Sequence, residues 1–421
     1  MDTRQLQQIA SQPCPDGIVM LQLRPGQINW LPDGRERMLA VMNDTGASLV
    51  YADGVDGRHI SLQKGAIRDD FDFGPVVAIR HNMLLRYLRD AKEPLRGAAF
   101  YALRLMIQRL GIITHIPEPL YTFDSEARSD SQFDYVDPRN ADIQAEMERV
   151  ATEHLSAIGA LIRPDEVVNV DINEGEFPAE ASVIIPVRNR VSTIRDAVES
   201  ALSQTLDSPM NVIVVDNHST DGTSEVLASI ADPRLKVITP ECHHLGIGGC
   251  WNRAIDDEAC GRFAIQLDSD DIYSGHDTLQ RIVDIFRAEQ CAMVVGAYRL
   301  TDFDLNTIPP GLIAHKEWTD DNGRNNLLRV NGMGAPRAFL TRIARRFHFP
   351  NVSYGEDYAM ALRMSRSYHI GRIYDELYLC RRWQGNSDAK LDRDTANRYN
   401  SYKDFLRTIE LEARIRLHSE G

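Results

Sequence analysis

The sequence predicts an α/β protein built on a mostly parallel sheet, and three observations lead there. Short β-branched runs without polar alternation recur after residue 180, as in strands buried on both faces. Stretches with apolar residues at i, i+3, i+4 and i+7 separate them, as in amphipathic helices. Strand and helix patterns alternate, which implies parallel strands joined by right-handed crossovers.

Taken in order, ASVIIPV (181–187) is the first strand, and Ile194, Ala197, Val198, Ala201 and Leu202 form the stripe of the helix after it. NVIVVD (211–216) is a second strand, TSEVLASIA (223–231) a helix and LKVIT (235–239) a third strand. WNRAIDDEA (251–259) reads as a helix, RFAIQLD (262–268) as a strand and LQRIVDIFRAE (279–289) as a helix. In such sheets ligands bind beyond the carboxyl ends of the strands, so the polar residues ending them are the candidates for chemistry.

A chain of 421 residues is too long for one ordinary core. The expected division is an accessory domain over 1–162, a linker over 163–180, a catalytic domain over 181–395 and a C-terminal helix over 396–421. The linker segment is acidic, holds two prolines and lacks a period, and one short strand is expected in it. The stretch 143–162 before it is an amphipathic helix. An internal repeat relates the two domains: YALRLMIQRLGIITHIPEPLYTF (101–123) lies over YAMALRMSRSYHIGRIYDELYLC (358–380) without a gap, at an offset of 257 residues. Upstream, ASLVYAD (47–53) resembles AMVVGAY (292–298), and FGPVVAIR (73–80) loosely resembles GMGAPRAFL (332–340).

With 61 acidic and 47 basic residues the formal net charge is −14, which argues against a nucleic-acid partner. A nucleotide ligand stays open, because a divalent metal can sit between carboxylates and phosphates. No apolar run approaches the roughly 20 residues of a membrane span, and MDTRQLQQ does not read as a signal peptide, so the expectation is a cytoplasmic protein. The six cysteines show no CxxC pairing and read as packing thiols. His243, His244, His315 and His348 have neither zinc nor serine-triad spacing, and GxSxG and HExxH are absent.

Three acidic clusters carry candidate chemistry. VVDNHSTDGT (214–223) puts Asp216 at a strand end, where a carboxylate can accept from a base or ribose, although the same residues also make turns and caps. QLDSDDIY (266–273) brings Asp268, Asp270 and Asp271 to another strand end. Like charges packed there are costly without a cation, and hard oxygen ligands suit Mg²⁺ or Mn²⁺ held jointly with a diphosphate. SYGEDYAMALRM (353–364) opens a helix with Glu356 and Asp357, either of which could deprotonate an acceptor hydroxyl or simply favour the helix dipole. HHLGIGGCWNRAID (243–256) is a glycine-rich helix start able to turn amides toward phosphates, with Gly246 and Asn252 as its candidate contacts. In YLCRRWQGNSD (378–388), Arg381 or Arg382 could clamp phosphate and Trp383 could stack on a ring.

In this order the motifs resemble those of the family 2 glycosyltransferases, over about 210 residues. The resemblance implies a Rossmann-like GT-A fold and transfer of a sugar, with inversion, from a nucleotide-diphosphate donor to a hydroxyl of a glycan or lipid-linked acceptor. A UDP-sugar and a role in cell-surface polysaccharide synthesis are the family's default. By the resemblance Pro186 and Arg188 receive the base, Asp216 bonds its edge, Asp268 and Asp270 contact ribose or phosphate, and Asp271 with Asp270 holds the metal. Asp357 matches the catalytic base beside Glu356, and Trp383 to Ser387 match the loop that closes over donor and acceptor.

The first domain then resembles the acceptor half of the same fold. Ala99 and Phe100 stand opposite Glu356 and Asp357, and the constant offset puts Ser11 to Cys14 opposite the metal motif, so this copy should be catalytically inert. Packing on the catalytic domain, acceptor selection and homodimer formation are its three candidate roles, and attachment to the inner face of a membrane is a further expectation. The rival classes are a GT-A-like nucleotidyltransferase and a non-catalytic scaffold. The first is disfavoured because RNRVSTIRD lacks a glycine- and lysine-rich signature, the second because Asp268, Asp270, Asp271 and Asp357 are intact.

Overall fold

A computed structural model describes residues 1–125, 140–330, 333–383, 386 and 391–420. The chain forms two compact units, one of residues 1–161, 328–330 and 391–421, the other of 162–327 and 331–390.

The first unit begins with α1 (Thr3–Ala10), whose start is fixed by a capping box between Asp2 and Gln5. There follow β1 (Ile18–Gln22), β2 (Gly26–Trp30), α2 (Gly34–Thr45), β3 (Leu49–Gly54) and β4 (Val76–Arg80). Next come α3 (His81–Asp90), α4 (Ala99–Leu110), β5 (Ile113–Ser125) and α5 (Ala141–Ala157). The strand order is β1-β4-β3-β5-β2. Met38 and Met42 of α2 pack against Val50, Ala52, Val76, Ala78, Ile116 and Tyr121, so one face of the sheet is a dry core.

The second unit runs β6 (Ala181–Val187), α6 (Ile194–Leu202), β7 (Met210–Asp216), α7 (Thr223–Ala228), β8 (Leu235–Ile238), α8 (Ile247–Ile255) and β9 (Phe263–Gln266). It continues through β10 (Ile272–Tyr273), α9 (Thr278–Glu289), β11 (Met293–Thr301), β12 (Thr307–Ile313) and α10 (Gly323–Asn326). It closes with β13 (Arg337–Leu340), α11 (Thr341–Phe347), α12 (Glu356–Ser367) and β14 (Ile370–Arg381). A last helix, α13 (Arg393–Glu420), belongs to the first unit and starts three residues before the expected boundary. In the first unit it carries a buried Arg68–Asp404–Arg407 ion cluster.

The sheet order is β10-β14-β11-β13-β9-β6-β7-β8, with β12 paired to β11. Strands β6 to β9 are parallel, as the sequence pattern implied. The other half is mixed, because β13 runs antiparallel to both β9 and β11. Its chain arrives from the β11–β12 hairpin and needs no crossover helix to enter that way. The α/β class and the GT-A arrangement stand, with a mixed rather than mostly parallel second half. Residues 163–180 belong to the second unit. Val170 and Ile172 are buried, and Val168 makes a single bridge to Tyr368 in place of the expected strand.

The two sheets repeat one pattern. Order β1-β4-β3-β5-β2 corresponds to β9-β13-β11-β14-β10, and each neighbouring pair has the same direction in both. Tyr121 pairs across to Trp30 as Tyr378 pairs to Tyr273. The rings meet edge-on at 5.9 Å and 81° in one case, 6.1 Å and 80° in the other. This matching corrects one expectation. Trp30 and Tyr273 differ by 243 positions, not 257, because the second unit inserts β12 and the segment after it. The metal motif therefore corresponds to the β1–β2 connection at residues 23–25, and not to Ser11 to Cys14, which lie before β1.

Candidate active site

The carboxyl ends of the parallel strands β6, β7 and β9 lie on one edge of the second sheet, and β14, parallel to β11, ends on the same edge. The segment after β6 and the segment after β7 are laced together. Asn189 donates its N–H to Ser219 at 2.9 Å, Thr220 N–H donates to Asn189 Oδ1 at 2.8 Å, and Val191 N–H donates to Asp221 at 3.0 Å. Arg188 is exposed and Pro186 half-buried beside them. Asp216 is 2 % exposed, and its oxygens accept from Ser219 N–H and the Ser224 hydroxyl. Each carboxylate oxygen has two lone pairs, so this turn role leaves acceptor capacity for a base N–H.

At the end of β9 the three aspartates separate into two kinds. Asp271 is 4 % exposed. Its Oδ1 accepts Arg381 N–H at 2.7 Å and its carboxyl also bonds the Tyr378 hydroxyl. Burial, with repulsion from Asp268 and Asp270, pushes its pKa well above the carboxylate range. Asp271, the expected metal ligand, is thus a buried tie between β14 and this turn. Asp268 accepts from Gln266 Nε2 at 2.9 Å, and Asp270 Oδ2 accepts from Trp383 Nε1 at 3.1 Å and Asn386 Nδ2 at 3.2 Å. Burial raises the Asp268 pKa, opposed by Gln266 and Arg337 and reinforced by Asp270 and Asp357.

The third cluster meets the second here. Gly355, at φ 84, turns the chain into α12, a conformation that favours glycine. Asp357 leaves that turn with 28 % of its side chain exposed and pairs with Arg337 Nη2 at 2.5 Å. Arg337 is held in turn by Gln266 Oε1, at 2.8 Å from Nη1, and by the Met333 carbonyl. Glu356 is 8 % exposed, and its Oε2 has no hydrogen-bond partner among the described residues. Burial, then repulsion from Asp357, pushes its pKa up to about 8. A carboxyl with a raised pKa is a poor proton acceptor at neutral pH, which favours Asp357 of the expected catalytic pair as the base.

The Glu356 shift has a thermodynamic consequence. The folded value lies above the ordinary 4.5, so the native state keeps a proton that the unfolded chain loses between pH 4.5 and about 8. Stability falls as pH rises through that window. Glu356→Gln removes the charging penalty, and thermal melting should show the variant gaining on the parent by about 3 kcal/mol between pH 5 and pH 8.5. A difference in Tm that stays flat with pH would mean that Glu356 ionises freely in the folded protein.

Several sequence candidates have other duties. Asn252 spends both ends of its amide on the backbone of Phe349, at 2.8 Å each, and is not a nucleotide contact. Gly246 donates its N–H to Asn351 at 2.7 Å and Gly248 N–H goes to the Val352 carbonyl, so these two amides are already engaged. Side chains at Gly246 or Gly248 would collide with the backbone of residues 350–352, and close approach is what the glycines provide. They also lie at the start of α8, which begins four residues before the expected helix. Arg381 is 3 % exposed, with Nε on the Asp270 carbonyl at 2.6 Å and Nη1 on Asp196 at 2.8 Å, so it clamps the turn, while its Nη2 has no partner among the described residues. Arg382 N–H bonds the Thr301 carbonyl and continues the β14–β11 ladder. Trp383 does border Asp270. Ser387 lies outside the described residues.

Arg337, Gln266, Asn386 and Arg190, whose Nε is 3.8 Å from Asp270, belong to the site and were not singled out from sequence. The arginine of GAPRAFL was the available signal, since a charge opening a buried strand wants a partner. All six cysteines are free thiols. No helix among the described residues is long and apolar enough to cross a membrane.

The carboxylates suit a divalent cation in one particular way. Among the described residues, no three metal-binding side chains converge. Among the described residues, Asp268 and Asp270 each keep one oxygen without a protein donor, in a place where their charges repel. That donor set fits an ion that takes one or two carboxylates and fills its other positions with water and substrate phosphates.

A family model described as Glycosyl transferase family 2 matches residues 182–348. The UDP-Glc:alpha-D-GlcNAc-diphosphoundecaprenol beta-1,3-glucosyltransferase WfgD of Escherichia coli is 30% identical over 193 residues, covering 46% of this chain and 72% of its own. The succinoglycan biosynthesis protein ExoO of Rhizobium meliloti (strain 1021) is 36% identical over 105 residues, 25% of this chain and 29% of that one. Among solved structures, S. aureus TarS 1-349 in complex with UDP-GlcNAc is similar with a TM-score of 0.43 and 20% identity, over 54% of this chain and 66% of that chain.

Proposed function

Because the chain belongs to glycosyl transferase family 2 and is a glycosyltransferase, we propose that it moves a sugar, with inversion, from a UDP-sugar to a hydroxyl of a glycan or lipid-linked acceptor in cell-surface polysaccharide biosynthesis. One observation carries the reading. The open carboxylate of Asp357 lies close enough to Asp268 to repel it, so a base and a diphosphate site share one cleft.

In this reading the uracil and ribose lie along the laced loops, against Pro186, Arg188 and Asp216. Asp268 and Asp270 face the diphosphate. A divalent metal, Mn²⁺ or Mg²⁺, held by Asp270 and Asp268 would neutralise charge on the departing nucleoside diphosphate. Trp383, fixed on Asp270, offers its ring to the transferred sugar or its acceptor. Asp357, oriented by Arg337, takes the proton of the attacking hydroxyl. WfgD acts, by its name, on a GlcNAc-diphosphoundecaprenol acceptor, which supports a lipid-linked acceptor here and work at the cytoplasmic face of a membrane.

Calorimetric titration with UDP, GDP, CDP and ADP, each with and without Mn²⁺, tests the donor class. UDP should bind, and at least about tenfold more tightly with Mn²⁺ present, a gain of about 1.4 kcal/mol. Metal-dependent binding of GDP instead would move the donor to another base. Binding of no nucleotide under either condition would overturn the reading.

A further inference from the structure

The first unit keeps a cleft at the place where the second has its carboxylates. A cavity of 200 Å³ is lined by Leu23 and Arg24 of the β1–β2 connection, Phe71 and Phe73 before β4, and Phe100 and Tyr101 at the start of α4, with Asp69 and Arg104 beside them. The corresponding elements of the second unit are the β9–β10 connection with Asp268 to Asp271, the segment before β13, and the start of α12 with Glu356 and Asp357. Where the second unit has acids, the first has Leu23, Arg24, Ala99 and Phe100. The chemistry has been replaced and the recess kept.

The lining says what the recess would hold. Phe71 and Phe73 lie 4.6 Å apart between ring centres, and Phe100 stands edge-on to Phe73 at 5.9 Å. The Arg104 guanidinium lies 5.6 Å from the Phe73 ring centre, and its N–H groups are spent on the carbonyls of Ala66 and Arg68. It therefore stiffens an aromatic wall, and its charge lies beside Asp69. Polar groups share the lining with the rings. Asp69 pairs with Arg329 through one oxygen, and the exposed Arg24 pairs with Asp72 at 2.7 Å. Aromatic walls with a few placed polar groups are the usual make-up of a small-molecule site, and drug-sized ligands take about 300–1,000 Å³. This smaller cavity suits one monosaccharide unit. The half-exposed Phe100 ring can cover part of the apolar C–H surface of a pyranose, and the Asp69 carboxylate can accept from its hydroxyls. A nucleotide fits poorly, because Asp69 would face its phosphates and Arg24 is already paired.

We propose that the first unit is a non-catalytic saccharide-binding module, holding one sugar unit of a glycan against Phe100 and Asp69 in the cleft that matches the candidate active site of the second unit. It rests on the acceptor reading above only for the choice of probes.

The test uses the full-length protein and saturation-transfer NMR with methyl glycosides of glucose, galactose, mannose and N-acetylglucosamine, and with β-linked disaccharides of the same sugars. At least one probe should bind without UDP or metal. Phe100→Ala, at a half-exposed position, and Asp69→Asn should each weaken it tenfold or more, while Asp357→Asn leaves it unchanged. Arg24→Ala, at an exposed position, is the fallback if loss of the Asp69–Arg329 pair costs the fold, and it should weaken binding at least threefold. UDP titrated into the same samples reports separately on the second unit, so failure of the donor reading and failure of this one are distinguishable. Binding that vanishes in Asp357→Asn but survives in Phe100→Ala, or no binding of any probe, would overturn the proposal.

Discussion

Asp357→Asn should lower kcat for sugar transfer by about 10²–10⁴-fold, the span expected when a general base is lost. Affinity for the nucleoside diphosphate should stay within about twofold, since no donor contact is removed. The substitution is nearly isosteric. Asparagine keeps an oxygen for the Tyr358 N–H, which Asp357 accepts at 2.6 Å, and so preserves the first turn of α12. Arg337 loses one partner but retains Gln266 and the Met333 carbonyl. Transfer rates and nucleotide affinity measured on the same preparation separate the two effects. Full turnover in Asp357→Asn would remove it as the base, and Glu356, buried and protonated near neutral pH, would be a poor replacement.

What could be read from the sequence was what local pattern determines. The β-branched run at 181–187 and the stripe from Ile194 to Leu202 became β6 and α6 at the same boundaries, since a buried strand and a one-faced helix are written in short windows. The acid run after β9 was legible as a site for the same reason. Which of its carboxylates faces the cleft was not, because that depends on Arg381 N–H, 110 residues along the chain, and on Tyr378. Asn252 and Gly246 looked like ligand contacts until the loop at 349–352 claimed them. The glycines of α8 misled in the same way: glycine is a poor helix former, yet here the missing side chains admit a neighbouring backbone. Arg337 was passed over because its value lies in joining Gln266 to Asp357, three segments that no sequence window contains. The repeat was visible at Tyr121 and Tyr378, but its register upstream was hidden by the inserted β12.

The second large effect separates neighbours. Asp270→Asn should cost at least about 100-fold in metal-dependent UDP affinity, as expected when a divalent ion loses a charged ligand beside the diphosphate. Asp271→Asn should leave that affinity within about threefold, since the Asp271 side chain is buried and spent on Arg381 N–H. The asparagine oxygen can still accept Arg381 N–H, and the remaining cost, that of altering the bond to Tyr378, should be about 1 kcal/mol in stability. Titrating UDP against both variants across a range of Mn²⁺ concentrations reads the difference directly. A collapse of metal dependence in Asp271→Asn with Asp270→Asn spared would mean that Asp271 turns out of its bonds with Arg381 and Tyr378 when donor binds. The end of β14 would then have to rearrange with it, because Arg381 holds the Asp270 carbonyl and Trp383 holds the Asp270 carboxylate. With Asp271 left in place, those same two contacts hold Asp270, and β14 is the splint on which the proposed diphosphate site is set.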